Sequence, residues 1–155
     1  MKRKYELTGE TKELYGLTLH RIKALLDFND VKAGDLGGWV EKEDNLSHYG
    51  KAWVYGNARV HGNAQVYDDA WVYGNARVHG NAQVYDDARV YGIAWVSDNA
   101  QVYGNALVYG DAWVFGNAQI YGNAQVYGKA RVYGNAEIYG NARVNSNRDY
   151  IVFRD

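Results

Sequence analysis

The 155-residue chain has no cysteine, no proline and a single methionine. Without thiols it can form neither a disulfide framework nor a thiolate metal site, which is compatible with a cytoplasmic setting. Net charge is also scarce, at −1. A phosphate-backbone binder usually shows a basic excess or stripe, so nucleic acid is not an expected partner, and the chain is no strongly acidic mimic of DNA either. No apolar run approaches the roughly 20 residues of a membrane helix. The basic opening MKRKYELTGE is not followed by the apolar segment of a signal peptide. A soluble, cytoplasmic protein with no membrane partner is expected.

What the chain does have is 15 Tyr, 5 Trp and 18 Gly. The glycines recur at fixed steps among residues suited to burial, which marks a structural repeat and not a flexible linker. From Val54 to Val144 every sixth residue is Val or Ile, and Ala stands two places before each, so the unit reads A-x-V-Y-G-N. Alternation puts Ala and Val on one side of a short strand and the variable residue and Tyr on the other. Gly and Asn then supply the turn, because they tolerate positive φ.

A unit of six cannot bury its own Val, so units must stack. The number of sides comes from a copy: VYGNARVHGNAQVYDDA runs from Val54 to Ala70 and returns from Val72 to Ala88, a step of eighteen. Duplication by whole coils keeps every face in register, and eighteen is three sixes. The spacing predicts an all-β, three-sided parallel β-helix of about six coils, with rungs about 4.8 Å apart.

Three segments are expected: a cap at 1–35, the repeat body at 36–147 and a short terminal strand at 148–155. LGGWVE (36–41) fits the unit if Leu36 is placed eighteen before Val54, with Val40 in the Ala slot. Lys42 and His48 then fall in aliphatic slots, so the first coil should be open, bulged or capped. The stretch YELTGETKELYGLTLHRIKAL reads best as a β-hairpin, with an amphipathic helix as the alternative for 17–28. Its expected role is to cover core and strand edges at the end of the stack. DYIVFRD at the C-terminus reads as a strand.

Most of the chain, through this A-x-V-Y-G-N pattern, resembles the hexapeptide-repeat proteins that form left-handed parallel β-helices. The left hand is implied by that resemblance alone, since the general crossover rule favours the right hand. LHRIKAL and GDLGGWVE ahead of the YGNA repeats resemble a bacterial and phage branch often labelled acyltransferase-like. Acyltransferases of this fold are usually trimers with a His near a subunit groove and a loop thrown out of a coil. Here no loop interrupts the count of six from Val54 to Val144. That departure weighs against transfer chemistry, and fold alone does not assign an activity.

Every eighteenth residue defines an outer face. The first carries Trp53, Trp71, Arg89, Leu107, Gln125 and Arg143; the second carries Arg59, Arg77, Trp95, Trp113 and Arg131; the third carries Gln and Glu beside Tyr. Trp53, Tyr55, Trp71 and Tyr73 are expected to form an apolar patch near Arg59, Arg77 and Arg89, suited to stacking and cation–π contacts. Trp95, Trp113 and Phe115 extend the aromatic surface. The structural alternative is that such ladders only stabilise the sheet. His61 and His79 should stack and could offer a base or half a metal site, yet no carboxylate shares their face. Asp68 and Asp69 should stack on Asp86 and Asp87, a repulsion that a Ca²⁺ ion or ordinary turn hydrogen bonds could relieve. The Gln ladder reads as amides bonded along the stack.

No phosphate loop and no Ser-His-Asp arrangement is present, and no cofactor is expected. These residues point to a non-catalytic binding or scaffold protein, forming a homo-oligomer (dimer or trimer) and contacting a protein partner. The phage resemblance implies an accessory role, such as blocking a host defence factor. The alternatives are an acyltransferase with His61 or His79 as base, and an oligomer that sequesters a small nucleotide-like ligand.

Overall fold

The computed structural model describes residues 2–145 and the backbone of Asp149 and Tyr150. The fold is a parallel β-solenoid of about six coils. Two-residue strands run along three sides, and each pairs in parallel with the strand eighteen residues on: Trp53 with Trp71, Arg59 with Arg77, Gln65 with Gln83. The three sheets hold nine, six and five strands. Every Ala and Val or Ile slot from Ala52 to Ile138 is fully buried. Each Val contributes about 1.5–3 kcal/mol by leaving water. No α-helix occurs among the described residues, where a single 3-10 turn spans Glu43–Asn45.

Residues 17–28 do not form the helix that was the alternative. β1 (Tyr5–Leu14) and β2 (Leu17–Ala24) make an antiparallel hairpin. Ile22 and Ala24 join the core of the body and Leu19 is buried within the cap, in place of the helical stripe that Leu19, Ile22 and Leu26 would have formed. β2 pairs antiparallel with β3 (Leu36–Val40), and β3 pairs in parallel with Arg59–Val60. The hairpin therefore continues the second-face sheet and occupies the edge that the first coil would otherwise expose.

The first coil departs from the expected register. Val40 pairs with Val60, and Leu46 bridges to Val66, both offset by twenty and not eighteen. Val40 and Leu46 are thus the core residues, while Leu36, placed in that slot by sequence, is 51% exposed. The offset returns to eighteen at Trp53, so two extra residues lie in the corner between Leu46 and Trp53, where His48 sits. Lys42 points outward and its Nζ donates to Asn63 Oδ1 at 3.1 Å. Fully buried Asn45 fills the turn instead: its Oδ1 accepts from the Glu41 and Lys42 N–H groups, and its Nδ2 donates to the Gly62 and Ala64 carbonyls.

The cap closes over this corner. Tyr5 stacks on His48 at 4.1 Å and donates its O–H to Leu46 O at 2.6 Å. Lys4, 2% exposed, donates to Ala52 O at 2.6 Å, and burial lowers its pKa to about 8. Gly37 and Gly38 of LGGWVE are required by close approach: a Cβ on Gly37 would lie 2.6 Å from Ile22 Cγ1, and one on Gly38 2.8 Å from Ala58 O. At the other end, Asp149–Tyr150 pairs in parallel with Arg131–Val132. The rest of the expected DYIVFRD strand, residues 151–155, lies outside the described residues.

Candidate functional site

On the second face, consecutive coils place Arg59, Arg77, Trp95, Trp113 and Arg131 in one row. Trp95 and Trp113 stack at 5.1 Å with their planes 11° apart. The Arg77 guanidinium lies 4.8 Å from the Trp95 ring, and that of Arg131 lies 4.4 Å from the Trp113 ring. The row is therefore two indoles held between two cations, each contact worth about 0.5–1 kcal/mol at such exposure. Trp113 is 37% exposed. Among the described residues no salt bridge engages Arg59, Arg77 or Arg131.

Beside this row runs a second column, His61, His79, Ser97, Phe115 and Tyr133. His61 stacks on His79 at 5.0 Å and Phe115 on Tyr133 at 5.2 Å. Between them Ser97 carries no ring. A notch of about 230 Å³ opens there, lined by His79, Trp95, Ser97, Trp113 and Phe115. Asp98 follows at the corner, with its carboxylate accepting the Gly116 N–H at 3.0 Å.

The first face differs from expectation. Trp53 is only 2% exposed, lying under the cap with Phe28 edge-on at 5.3 Å and Tyr5 at 6.3 Å. It belongs to the core and cannot contribute to an outward patch with Tyr55, Trp71 and Tyr73. Trp71 is partly covered; its indole N–H donates to Lys51 O at 3.0 Å, and Tyr55 meets it edge-on. Tyr55, Tyr73, Tyr91, Tyr109 and Tyr127 form a stacked column at 4.8–5.0 Å. Arg89 is exposed in register between Trp71 and Leu107. A cleft of about 410 Å³ between cap and body is lined by Asp30, Asp35, Trp53, Tyr55 and Trp71 among others.

Burial lowers the pKa of His61 to about 4, with neighbouring His79 as the next cause. It lowers that of His79 as well, against the pull of Asp98. Both imidazoles are neutral at pH 7. His79 Nδ1 is sealed from solvent without a hydrogen-bond partner, and its ring stacks on that of His61.

The Asp pairs are corner devices. Asp68, Asp86 and Asp98 each take φ of +57° where the repeat has glycine. Their carboxylates accept the backbone N–H one coil on: Asp68 from Asp86, Asp86 from Gly104, Asp98 from Gly116. Asp69 Oδ1 accepts from the Lys51 N–H at 3.0 Å, while Asp87 is exposed. Among the described residues no group of three or more His, Cys, Asp or Glu could hold a metal ion. On the third face the ladder is Tyr to Gln, not amide to amide: Tyr67 donates to Gln83 at 3.1 Å and Tyr85 to Gln101 at 3.1 Å.

Sequence reasoning missed Ser97 and Arg131 as site residues. The signal for Ser97 was present: from Tyr55 to Tyr139 the slot after each core Val or Ile is aromatic or His except at Ser97. Arg131 could have been found by reading the second face as one continuous row.

A three-sided stack of A-x-V-Y-G-N coils, capped by a hairpin and carrying chemistry only on its outer rows, defines a β-solenoid repeat protein. The chain belongs to the YdcK β-solenoid repeat family, whose model matches residues 52–68, 64–80, 82–98, 100–116 and 118–134, just over half of the chain in all. It is similar to a protein of Escherichia coli (strain K12) described as "Uncharacterized acetyltransferase YdcK", with 38% identity over 61 residues. The match covers 34% of this chain and 19% of that protein, so the chain spans a small part of its relative's length. No helix among the described residues is long and apolar enough to cross a membrane.

Proposed function

We propose that this chain is a non-catalytic binding scaffold whose contact surface is the second-face row Arg77–Trp95–Trp113–Arg131. The observation that carries this reading is the stacked indole pair, Trp95 half-buried and Trp113 exposed, clamped between guanidiniums that make no salt bridge among the described residues. Trp and Arg dominate the energetics of protein interfaces, and here the solenoid holds both rigid, so little side-chain entropy is lost on contact. The partner is a protein, and a phage or prophage accessory role in blocking a host factor falls within this proposal. So does a homo-oligomer, dimer or trimer, with Leu107 and Trp71 on the first face as the meeting surface. The chain is purified from the organism that encodes it and the mass of the complex is measured. A defined complex is expected for the wild type and the free chain for Trp95→Ala with Trp113→Ala; a wild type that elutes free contradicts the reading.

The relative's description as an acetyltransferase favours a second reading, with neutral His61 or His79 as the base. Acetyl-CoA turnover that His61→Ala with His79→Ala abolishes would support it. Absence of both turnover and acetyl-CoA binding removes it.

A further inference from the structure

The aromatic column beside the tryptophan row lacks one ring. His79 and Phe115 stand two rungs apart, about 9.6 Å by the strand spacing. A ring entering at the Ser97 rung would have its centroid about 4.8 Å from each, within the 4.5–7 Å range of aromatic pairs. The flanking pairs of the same column, at 5.0 and 5.2 Å, already show that spacing. The Trp95 and Trp113 rings form the side wall of the notch.

We propose that the Ser97 slot anchors one aromatic side chain from an acidic segment of a partner protein. This rests on the reading of the second face as the binding surface and adds the occupant. Size favours a side chain carried by a larger body: about 230 Å³ holds one ring and falls below the roughly 300–1,000 Å³ that buries a drug-sized ligand. Charge favours acidic flanks. Arg59 and Arg77 are adjacent in register, and no acidic residue stands in the row from Arg59 to Arg131. The acidic residue bordering the slot, Asp98, already holds the Gly116 N–H, and a cationic guest would face repulsion from Arg77. Carboxylates beside the incoming ring would reach the guanidiniums that stack on the indoles.

The slot also makes its own control. Tyr is the residue of this position in most other units, so Ser97→Tyr completes the column from within, closing the slot while adding a stacked rung. The full chain, with its Trp95 and Trp113 indole N–H signals assigned by NMR, is titrated with the peptide acetyl-Asp-Glu-Tyr-Glu-Asp-amide. Saturable shifts of both signals are expected, with Kd in the millimolar range or below. Replacing the peptide's Tyr by Ala, or its acids by Lys, should weaken binding at least tenfold. Ser97→Tyr should weaken it at least tenfold without lowering Tm. No saturable shift, an unchanged Kd in Ser97→Tyr, or tighter binding of the Lys-flanked peptide or of AMP overturns the proposal. If the peptide fails while Trp95→Ala with Trp113→Ala still abolishes the native complex, the slot's occupant is wrong and the second-face reading survives. A native complex indifferent to both tryptophans overturns both.

Discussion

Replacing Gly92 by Ala and, separately, by Asp tests whether the Asp pairs of the copied segment are corner devices. Gly92 sits at a coil corner with φ of +69°, and a Cβ there would lie 2.8 Å from Gly110 N and 3.2 Å from Gly110 O. Left-handed backbone costs an L-residue about 1–2 kcal/mol. The clash is with backbone, so no rotamer relieves it; the coils must part locally, weakening the Ile93 N–H to Gly110 O bond of 3.0 Å. That adds about 1 kcal/mol, for a total near 2–3 kcal/mol in Gly92→Ala. Asp meets the same backbone but is among the residues that tolerate φ above zero. Its carboxylate can also accept the Gly110 N–H, as Asp86 and Asp98 accept those of Gly104 and Gly116 at 3.0 Å. A charge-assisted bond of this kind offsets about 1–2 kcal/mol, so Gly92→Asp should lose less than half as much. Urea unfolding followed by circular dichroism measures both, and 1 kcal/mol corresponds to about 2–4 °C in Tm for a chain of this size. Equal losses, or a larger loss with Asp, would refute the corner-cap account of Asp68, Asp86 and Asp98.

Trp53→Ala should cost about 3–5 kcal/mol as a large-to-small change in the core under the cap, against less than about 1.5 for half-exposed Trp113→Ala; thermal melts that reverse this order contradict the closed cap. Stability should fall with pH below about 6.5. An unfolded His takes up its proton near 6.5 while folded His61 resists until about 4, so the stability conferred by the neutral stack is present above 6.5 and lost as pH falls through 4. After allowance for partial solvent exposure the effect is of order 1 kcal/mol, and His61→Phe with His79→Phe should flatten the slope between pH 4 and 6.5 in chemical denaturation. On the first face, Leu107→Glu should reduce an oligomer to the 17.5 kDa monomer in light scattering; an unchanged mass removes that face as the meeting surface.

The body of the fold was legible because two periods coincide. The step of six placed each Val and Ala, and the step of eighteen set the number of sides, both carried by local residues. The first coil was not legible in detail. LGGWVE fits the unit in either of two phases, since Leu36 and Val40 are both apolar, and only pairing of Val40 with Val60 decides between them. The misfit of Lys42 and His48 did signal a disturbance, though not that two residues are inserted beyond Leu46. Trp53 shared its face with Trp71 in sequence, yet Phe28 and Tyr5 reach it from the cap, a long-range contact that no repeat pattern encodes. The copied His and Asp residues are of types that serve as bases and metal ligands. Packing shows stacked imidazoles, and the carboxylates of Asp68, Asp69 and Asp86 each accept a backbone N–H group. The informative letters were those that broke the copy: the tryptophans of the second face, and Ser97 where the column omits a ring.

The most direct test compares three proteins purified from the encoding organism: wild type, Trp95→Ala with Trp113→Ala, and Gln83→Ala with Gln101→Ala on the third face. The mass of each native complex is measured after circular dichroism has verified the fold. Loss of the complex in the tryptophan variant, with retention in the glutamine variant, is the expected result. A complex that survives loss of both tryptophans would contradict the assignment of the second face as the binding surface.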